Sequence, residues 1–297
     1  MKKKLFAPFL MIALLLSLAA CSGDDDKITI GAQTYTETKI LAYMYKDLIE
    51  ANTDLTVDVK EDIETSPIVL EGMQGGDIDM STQYTGTAIS SFTDIEDPKD
   101  ADATLQQAED FFAGDDFEFA VLDKIGYANT YQFTVTEKLA EEKGYEKVSD
   151  LKDDADDYKA GFDTAWLERD NDGYPAFKET YDFEFGDTNP MEIGLVYDAV
   201  KNGEMDVVLA YSTDPRIVEY DLKLLEDDKK FFPPYDAVPM VRQEVLDEHP
   251  EIEEAIEPMF GMFDEEQISI LSGKVDNEGE QIEDVAKEYL EEEGLLE

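Results

Sequence analysis

Two stretches of this chain repeat one pattern, and the repeat limits the folds open to it. "SPIVLEGMQGGDIDMSTQY" reads as a helix opened at Pro67, stopped at Gly75 and Gly76, and followed by a strand ending on Tyr84. "NPMEIGLVYDAVKNGEMDVVLAYS" reads as the same proline-opened helix, glycine stop and strand, and its tyrosine is Tyr211. Each tyrosine falls eight residues after its glycine, Gly76 or Gly203. Val207 to Ala210 is an apolar run between polar neighbours, the mark of a strand buried on both faces. In open α/β sheets, ligands sit just beyond the carboxyl ends of such strands. The repeat therefore predicts two similar lobes whose strand-end tyrosines face one cleft. A coincidence of common turn chemistry is the alternative.

The rest of the chain reads the same way. "KITIGAQ" alternates as a strand. In "TYTETKILAYMYKDLIEAN", Ile40, Leu41, Met44, Leu48 and Ile49 recur at helical spacing, with Thr34 or Thr36 as N-cap. "DLTVDVKED" is a second strand, and "TYQFTVTEKLAEE" and "YKAGFDTAW" supply further strands with helix between them. "LKLLEDDKKFFPPYDAVPMVR" reads as a return crossing stiffened by Pro233 and Pro234. "IEDVAKEYLEEEGLLE" is an amphipathic closing helix with Val285, Tyr289 and Leu290 facing inward. Alternating β and α elements of this kind imply mostly parallel sheets with helices on both faces.

The N-terminus fixes a location. Lys2, Lys3 and Lys4 precede the apolar "LFAPFLMIALLLSL", which is too short and wrongly flanked for a spanning helix and reads as a secretory signal over residues 1–20. "LAAC" fits a bacterial lipobox, making Cys21 the lipidated first residue of the mature protein; a cleaved signal with an incidental cysteine is the alternative. Cys21 is the one cysteine in 297 residues, so no internal disulfide can form. Residues 21–26 serve as an acidic tether, and the expected place is the outer face of the cytoplasmic membrane.

The chain carries 73 acidic and 24 basic residues, a formal net charge of −49. Without the three signal lysines this becomes 21 − 73 = −52. The acids are spread along the whole length, and 42% of residues are hydrophobic, enough for a core. Self-repulsion on this scale is costly in dilute buffer, but molar salt shortens the Debye length to about 3 Å. This is the surface of a salt-adapted protein, and it excludes nucleic acid as a partner.

Catalytic apparatus is missing from the sequence. The one histidine, His249, sits among acids before a proline and is expected to be exposed. With no histidine–nucleophile pair, G-x-S-x-G or phosphate loop, enzymatic function is not expected. "ERDNDGYPAFKE", Glu168 to Glu179, nearly fits a calcium loop, but Glu168 opens it and Pro175 occupies its eighth position. A solvated acidic turn is the preferred reading, with a calcium-dependent surface protein as the alternative. No cofactor or metal is expected.

The tyrosines carry more information. Tyr84 and Tyr211 close strands, while Tyr131 in "ANTYQF" and Tyr235 in "PPYDA" fall at the expected crossings between lobes. Ring faces are negative, so several rings can enclose a cation that has no N–H to donate, at about 0.5–2 kcal/mol per contact. A carboxylate cage would instead recruit Na⁺ in brine. The aromatic box prefers a large, weakly hydrated quaternary ammonium.

From Ile28 to the C-terminus the chain resembles the substrate-binding lipoproteins of ABC importers for glycine betaine, carnitine and choline. The stretches that carry the resemblance are "IGAQTYTE", "GGDIDMSTQYTGT", "NTYQFTVT", "YDFEFGDTNPMEIGLVYDAVKNGEMDVVLAYSTDPRI" and "DDKKFFPPYDAVP". The resemblance implies a two-lobed periplasmic-binding-protein fold of type II-like architecture. Each lobe would be a mixed, mostly parallel sheet flanked by helices, with the ligand in the interlobe cleft. Lobe 1 would span residues 27–129 and 229–297, and lobe 2 residues 130–228.

It also implies a quaternary ammonium cage of Tyr84, Tyr131, Tyr211 and Tyr235. Gln33 and Thr87 resemble contacts to the ligand carboxylate, Asn129 a support for a ring or the ligand edge, and Arg169 a loosely aligned carboxylate partner. In the family an acid at the Thr87 position accompanies a preference for choline, so Thr87 points to betaine and carnitine. The function implied is a monomeric, lipid-anchored receptor that delivers its solute to a permease subunit for osmoprotection. A choline- or ectoine-specific receptor of the same importer type is the alternative.

Overall fold

The computed structural model describes residues 26–168 and 173–296. Among these, the strands are β1 (Lys27–Gln33), β2 (Thr56–Ile63), β3 (Met80–Tyr84), β4 (Phe119–Val121) and β5 (Tyr131–Thr136), followed by β6 (Lys159–Asp163), β7 (Asp187–Met191), β8 (Val207–Tyr211), β9 (Leu222–Leu224) and β10 (Ala237–Arg242). They form two five-stranded sheets, ordered β2-β1-β3-β10-β4 and β7-β6-β8-β5-β9. In the first, β1 is parallel to β2 and β3, while β10 is antiparallel to β3 and β4. In the second, β6 is parallel to β7 and β8, while β5 is antiparallel to β8 and β9. One plan is used twice, with β5 filling the place that β10 fills in the first sheet. The fold is two-lobed α/β with mixed, mostly parallel sheets.

The sequence repeat maps onto that plan: β3 and β8 hold the same position in their sheets. Gly76 and Gly203, just after the helices that lead into them, take left-handed φ of +75° and +72°. One half of the pattern needs correction. Pro67 does open the helix α2 (Ser66–Gln74) as expected, but Pro190 lies inside β7, and the following helix runs Ile193–Lys201. Strand β7 is the sheet edge, paired to β6 alone, so a proline with no N–H is tolerated there.

Helix α1 (Thr36–Asn52) buries Ile40, Leu41, Met44, Leu48 and Ile49, and packs against β1, β2 and the closing helix Ile282–Glu292. Its N-cap is Tyr35, without a side-chain cap, rather than Thr34 or Thr36. The Thr36 hydroxyl is drawn away to Asp276 at 2.6 Å, and Thr38 donates to the Tyr35 carbonyl at 2.8 Å. Within the closing helix Val285 and Leu290 are buried, and Tyr289 stacks on Phe263 at 5.3 Å.

Two segments connect the lobes, residues 122–130 from β4 to β5 and residues 225–236 from β9 to β10. They are tied to each other. Ala128 and Asp236 form an antiparallel bridge, and Asn129 N–H donates to the Tyr235 carbonyl at 3.2 Å. Gly126 in the first segment has φ +117°, and a Cβ there would stand 2.4 Å from the Phe263 carbonyl oxygen. Only glycine fits that bend.

Of the acidic stretch from Glu168 to Glu179, only the part after Asp172 and the backbone of Glu168 fall among the described residues. Residues Tyr174–Tyr181 are helical, which sets Glu179 in mid-helix. Arg169 to Asp172 lie outside the described residues, as do Cys21, the signal and all but Asp26 of the tether. His249 is less exposed than expected: its side chain is 16% accessible and lies 3.4 Å from Glu251, because it caps the helix Gln243–Glu248 against the fold. Among the described residues no helix is long and apolar enough to cross a membrane.

Surface ion pairs such as Lys152–Asp182 and Lys27–Asp58 are well exposed and too few to offset the acid excess. The thermal unfolding midpoint is therefore expected to rise as NaCl goes from about 0.1 M to about 2 M, most steeply at the low end where screening changes fastest. A flat response in scanning calorimetry would mean that repulsion does not limit this fold.

Candidate functional site

The strand ends and the crossing segments meet at one cavity. Tyr84, the last residue of β3, and Tyr211, the last residue of β8, both line it, as do Tyr131 at the start of β5 and Tyr235 two residues before β10. Tyr131 stands directly across the ladder from Tyr211. Their rings lie 4.9 Å apart at 27°, with hydroxyls 3.3 Å from each other. Tyr84, Tyr131 and Tyr235 are 5%, 9% and 8% exposed, so these rings form walls rather than surface. The cavity encloses about 260 Å³, near the small end of ligand sites and suited to a compact solute.

Close packing holds the walls in place. A Cβ on Gly86 would come within 2.4 Å of the Pro234 carbonyl oxygen and 3.3 Å of the Tyr235 ring. Gly86 therefore sets how closely the second crossing segment approaches β3. Gly86→Ala is expected to push Tyr235 outward and weaken ligand binding by about tenfold, read by titration calorimetry, since an overpacked contact costs roughly 1–3 kcal/mol. On the other side, Phe232 lies 5.8 Å from the Tyr131 ring and joins it to the aromatic core around Phe133 and Trp166.

Polar groups gather at one end. Gln33, at the end of β1, reaches Gln83 at 3.5 Å, and Gln83 also accepts a hydrogen bond from the Ser66 hydroxyl. Thr65 and Ser66 are the N-cap and first residue of α2, whose amino end lines the cavity together with Thr87. Free N–H groups at such a helix start favour an anion. The acid among the described lining residues is Glu64, which is exposed. Gln33, Thr87, Asn129 and the four tyrosines thus share one cavity; Arg169 falls outside the described residues.

Sequence reasoning passed over two neighbours of these groups. Tyr35 lines the same cavity, 39% exposed, with its ring edge-on to Tyr211 at 6.2 Å. Glu37 lies behind the walls, buried, accepting from the Tyr84 hydroxyl and from Asn129 Nδ2 at 2.6 Å. The available signal was an acid in phase with the apolar stripe of α1, four residues before Leu41. Burial pushes the Tyr84 and Tyr211 hydroxyls above the ordinary phenol value, so the walls remain neutral rings. Neutral faces without a cation among the described lining residues can hold an alkylated cation at one end and an anion at the helix start.

Residues 26–292 match the model of the substrate binding domain of ABC-type glycine betaine transport systems. The chain belongs to this family. It is 39% identical to the carnitine transport binding protein OpuCC of Listeria monocytogenes, over 100% of this chain and 99% of that one. It is 29% identical to the glycine-betaine-binding protein of Pseudomonas aeruginosa, over 94% of this chain and 91% of that one. A solved structure described as a glycine betaine/carnitine/choline ABC transporter superposes with a TM-score of 0.85 at 35% identity, covering 91% of this chain and all of the other. Family members are extracytoplasmic solute-binding proteins of ABC importers and act with a permease; they are not enzymes. The two-lobed fold expected from the sequence is the fold found.

Proposed function

We propose that this chain captures glycine betaine, carnitine or a close relative outside the cell and delivers it to an ABC permease for osmoprotection. The observation that carries the reading is that four tyrosines, two from each sheet's neighbourhood, line one cavity. In this reading Tyr84, Tyr131, Tyr211 and Tyr235 enclose the trimethylammonium head by cation–π attraction. Gln33 and Thr87, with the start of α2, receive the carboxylate, and Asn129 supports the cage. Arg169 would add a charged contact to the same carboxylate. The similar proteins are named for carnitine and glycine betaine, which supports the same chemistry.

Thr87 favours a carboxylate over choline's alcohol, because a hydroxyl can donate to an anion and brings no charge for a neutral end. Residues 27–129 with 229–297, and 130–228, are the bodies that would close on the solute, bending at the tied crossings. Lipidation at Cys21 and a monomeric state complete the proposal; the lipobox supports the first.

Titration calorimetry of the purified protein in about 1–2 M NaCl, where repulsion is screened, tests it. Glycine betaine or carnitine should bind tightly and choline weakly. Choline binding alone would keep the cage and overturn the carboxylate end; binding of ectoine alone would overturn the cage.

A further inference from the structure

Glu37 is a buried carboxylate with no counter-charge among the described residues. It is 5% exposed, in the first turn of α1, where the helix start offers it partial compensation. Its hydrogen-bond partners are all neutral donors from three parts of the fold: Tyr84 at the end of β3, Asn129 in the first crossing segment, and Thr213 just after β8. The other ionisable groups facing this region bring no spare positive charge among the described residues. The Tyr127 hydroxyl sits 3.4 Å from the Tyr84 hydroxyl, and Tyr35 borders the same small cavity as Glu37. Asp214 adds negative charge and is itself gripped by Arg216 at 2.8 and 2.6 Å. Asp276, on the helix Glu265–Asp276, borders the small cavity behind the cage with Glu37 and accepts from Thr36. Buried charges are ordinarily paired. Among the described residues no cation pairs this one.

Its partners show where that cation goes. Tyr84 and Asn129, the two groups that Glu37 holds at one carboxylate oxygen, both line the tyrosine cavity. A phenol that donates to a carboxylate is polarised, and its ring face becomes more negative. Asn129 is oriented in the same sense: its Nδ2 faces Glu37, and its Oδ1 has no protein partner. We infer that Glu37 is the fixed counter-charge of the cage, acting through Tyr84 and Asn129 to favour a cationic over a neutral ligand head. This deepens the cage reading above and rests on it. Glu37 is a positioning and charge-supplying residue that never touches the solute.

The inference has a proton-linked signature. Burial raises the Glu37 carboxyl above its ordinary range; the bonds from Tyr84, Thr213 and Asn129 oppose this, and Asp214 adds to it. A cation across the ring favours the ionised form. Ligand entry therefore drives the proton off Glu37 into the buffer, and by reciprocity affinity is greatest above the raised pKa and falls as pH drops through it.

The test uses tetramethylammonium, a permanent cation with no titrating group, alongside glycine betaine. For the unaltered protein, affinity should be greatest at the upper end of a pH series and fall as the pH is lowered through the raised Glu37 range. The binding heat should depend on the buffer's ionisation enthalpy in the sense of proton release. Glu37→Gln keeps an acceptor for Tyr84 but no charge, and should weaken tetramethylammonium about tenfold at the upper pH, roughly 1.4 kcal/mol, with a flat pH profile. A variant that binds as tightly as the parent, or keeps its pH dependence, overturns the inference. Weaker binding with the pH profile intact means a structural role only and overturns it equally. Should the variant not fold, proton release by the unaltered protein in two buffers decides alone. If the unaltered protein binds neither cation, the cage reading itself fails; if it binds both while Glu37→Gln changes nothing, only this inference does.

Discussion

Tyr131→Ala is expected to lower glycine betaine affinity by about tenfold to several hundredfold, the largest loss among the four wall positions. Alanine removes one cation–π contact, about 0.5–2 kcal/mol. It also removes the stacking partner of Tyr211, worth about 0.5–1.5 kcal/mol more, and the two rings now lie 4.9 Å apart. Tyr211 would then be held on that side by nothing aromatic, so one substitution loosens two walls. Tyr84, Tyr211 and Tyr235 to alanine should each cost at least about tenfold, or 1.4 kcal/mol. Tyr131→Phe keeps ring and stack, losing only the hydroxyl contact, and should cost less than tenfold. Calorimetric titration in molar salt reads all five. Unchanged affinity in two or more of the alanine variants would dismantle the cage.

The second large effect concerns stability. Trp166 is fully buried on the short helix Thr164–Glu168, with Phe162 at 5.0 Å, Phe133 at 5.9 Å and Phe232 at 6.2 Å. No smaller side chain fills the space among these rings and those of Tyr174 and Phe177, and truncating a buried tryptophan costs about 3–5 kcal/mol. Trp166→Ala should lower the thermal midpoint by about 10 °C at fixed salt. Because Phe232 also bears on Tyr131, the surviving folded protein should bind more weakly than the parent. A midpoint shift below about 2 °C would show that the second lobe can collapse around the gap.

The legible part of this molecule was the part written in local pattern. The apolar stripe of α1, the glycine stops at Gly76 and Gly203, and the tyrosines that end β3 and β8 follow from period and turn chemistry alone. Convergence of the four tyrosines on one cavity was legible because the strand ends of an α/β sheet are where ligands sit. Two kinds of feature were not. Pro190 read as a helix opener, because an edge strand is a property of the sheet and not of the neighbouring residues. Glu37 read as one acid among 73, because its burial depends on three partners distant in sequence, Tyr84, Asn129 and Thr213. In a chain this acidic, composition hides the carboxylate that is not on the surface.

The doubled sheet plan has one further consequence. The four tyrosines proposed as the cage come in equal number from the two halves, Tyr84 and Tyr235 beside β3 and β10, Tyr131 and Tyr211 on β5 and β8. Among the described residues the polar end draws on one half: Gln33, Ser66 and Thr87 all precede the first crossing. On the proposed reading, capture and choice are thereby largely separable tasks. A head group without preferred direction suits walls contributed from both sides, while the described side chains proposed to judge the tail sit on a single body. Selection on those few positions could retune which solute is accepted without disturbing how the halves come together, and a laboratory library confined to them would explore the same freedom.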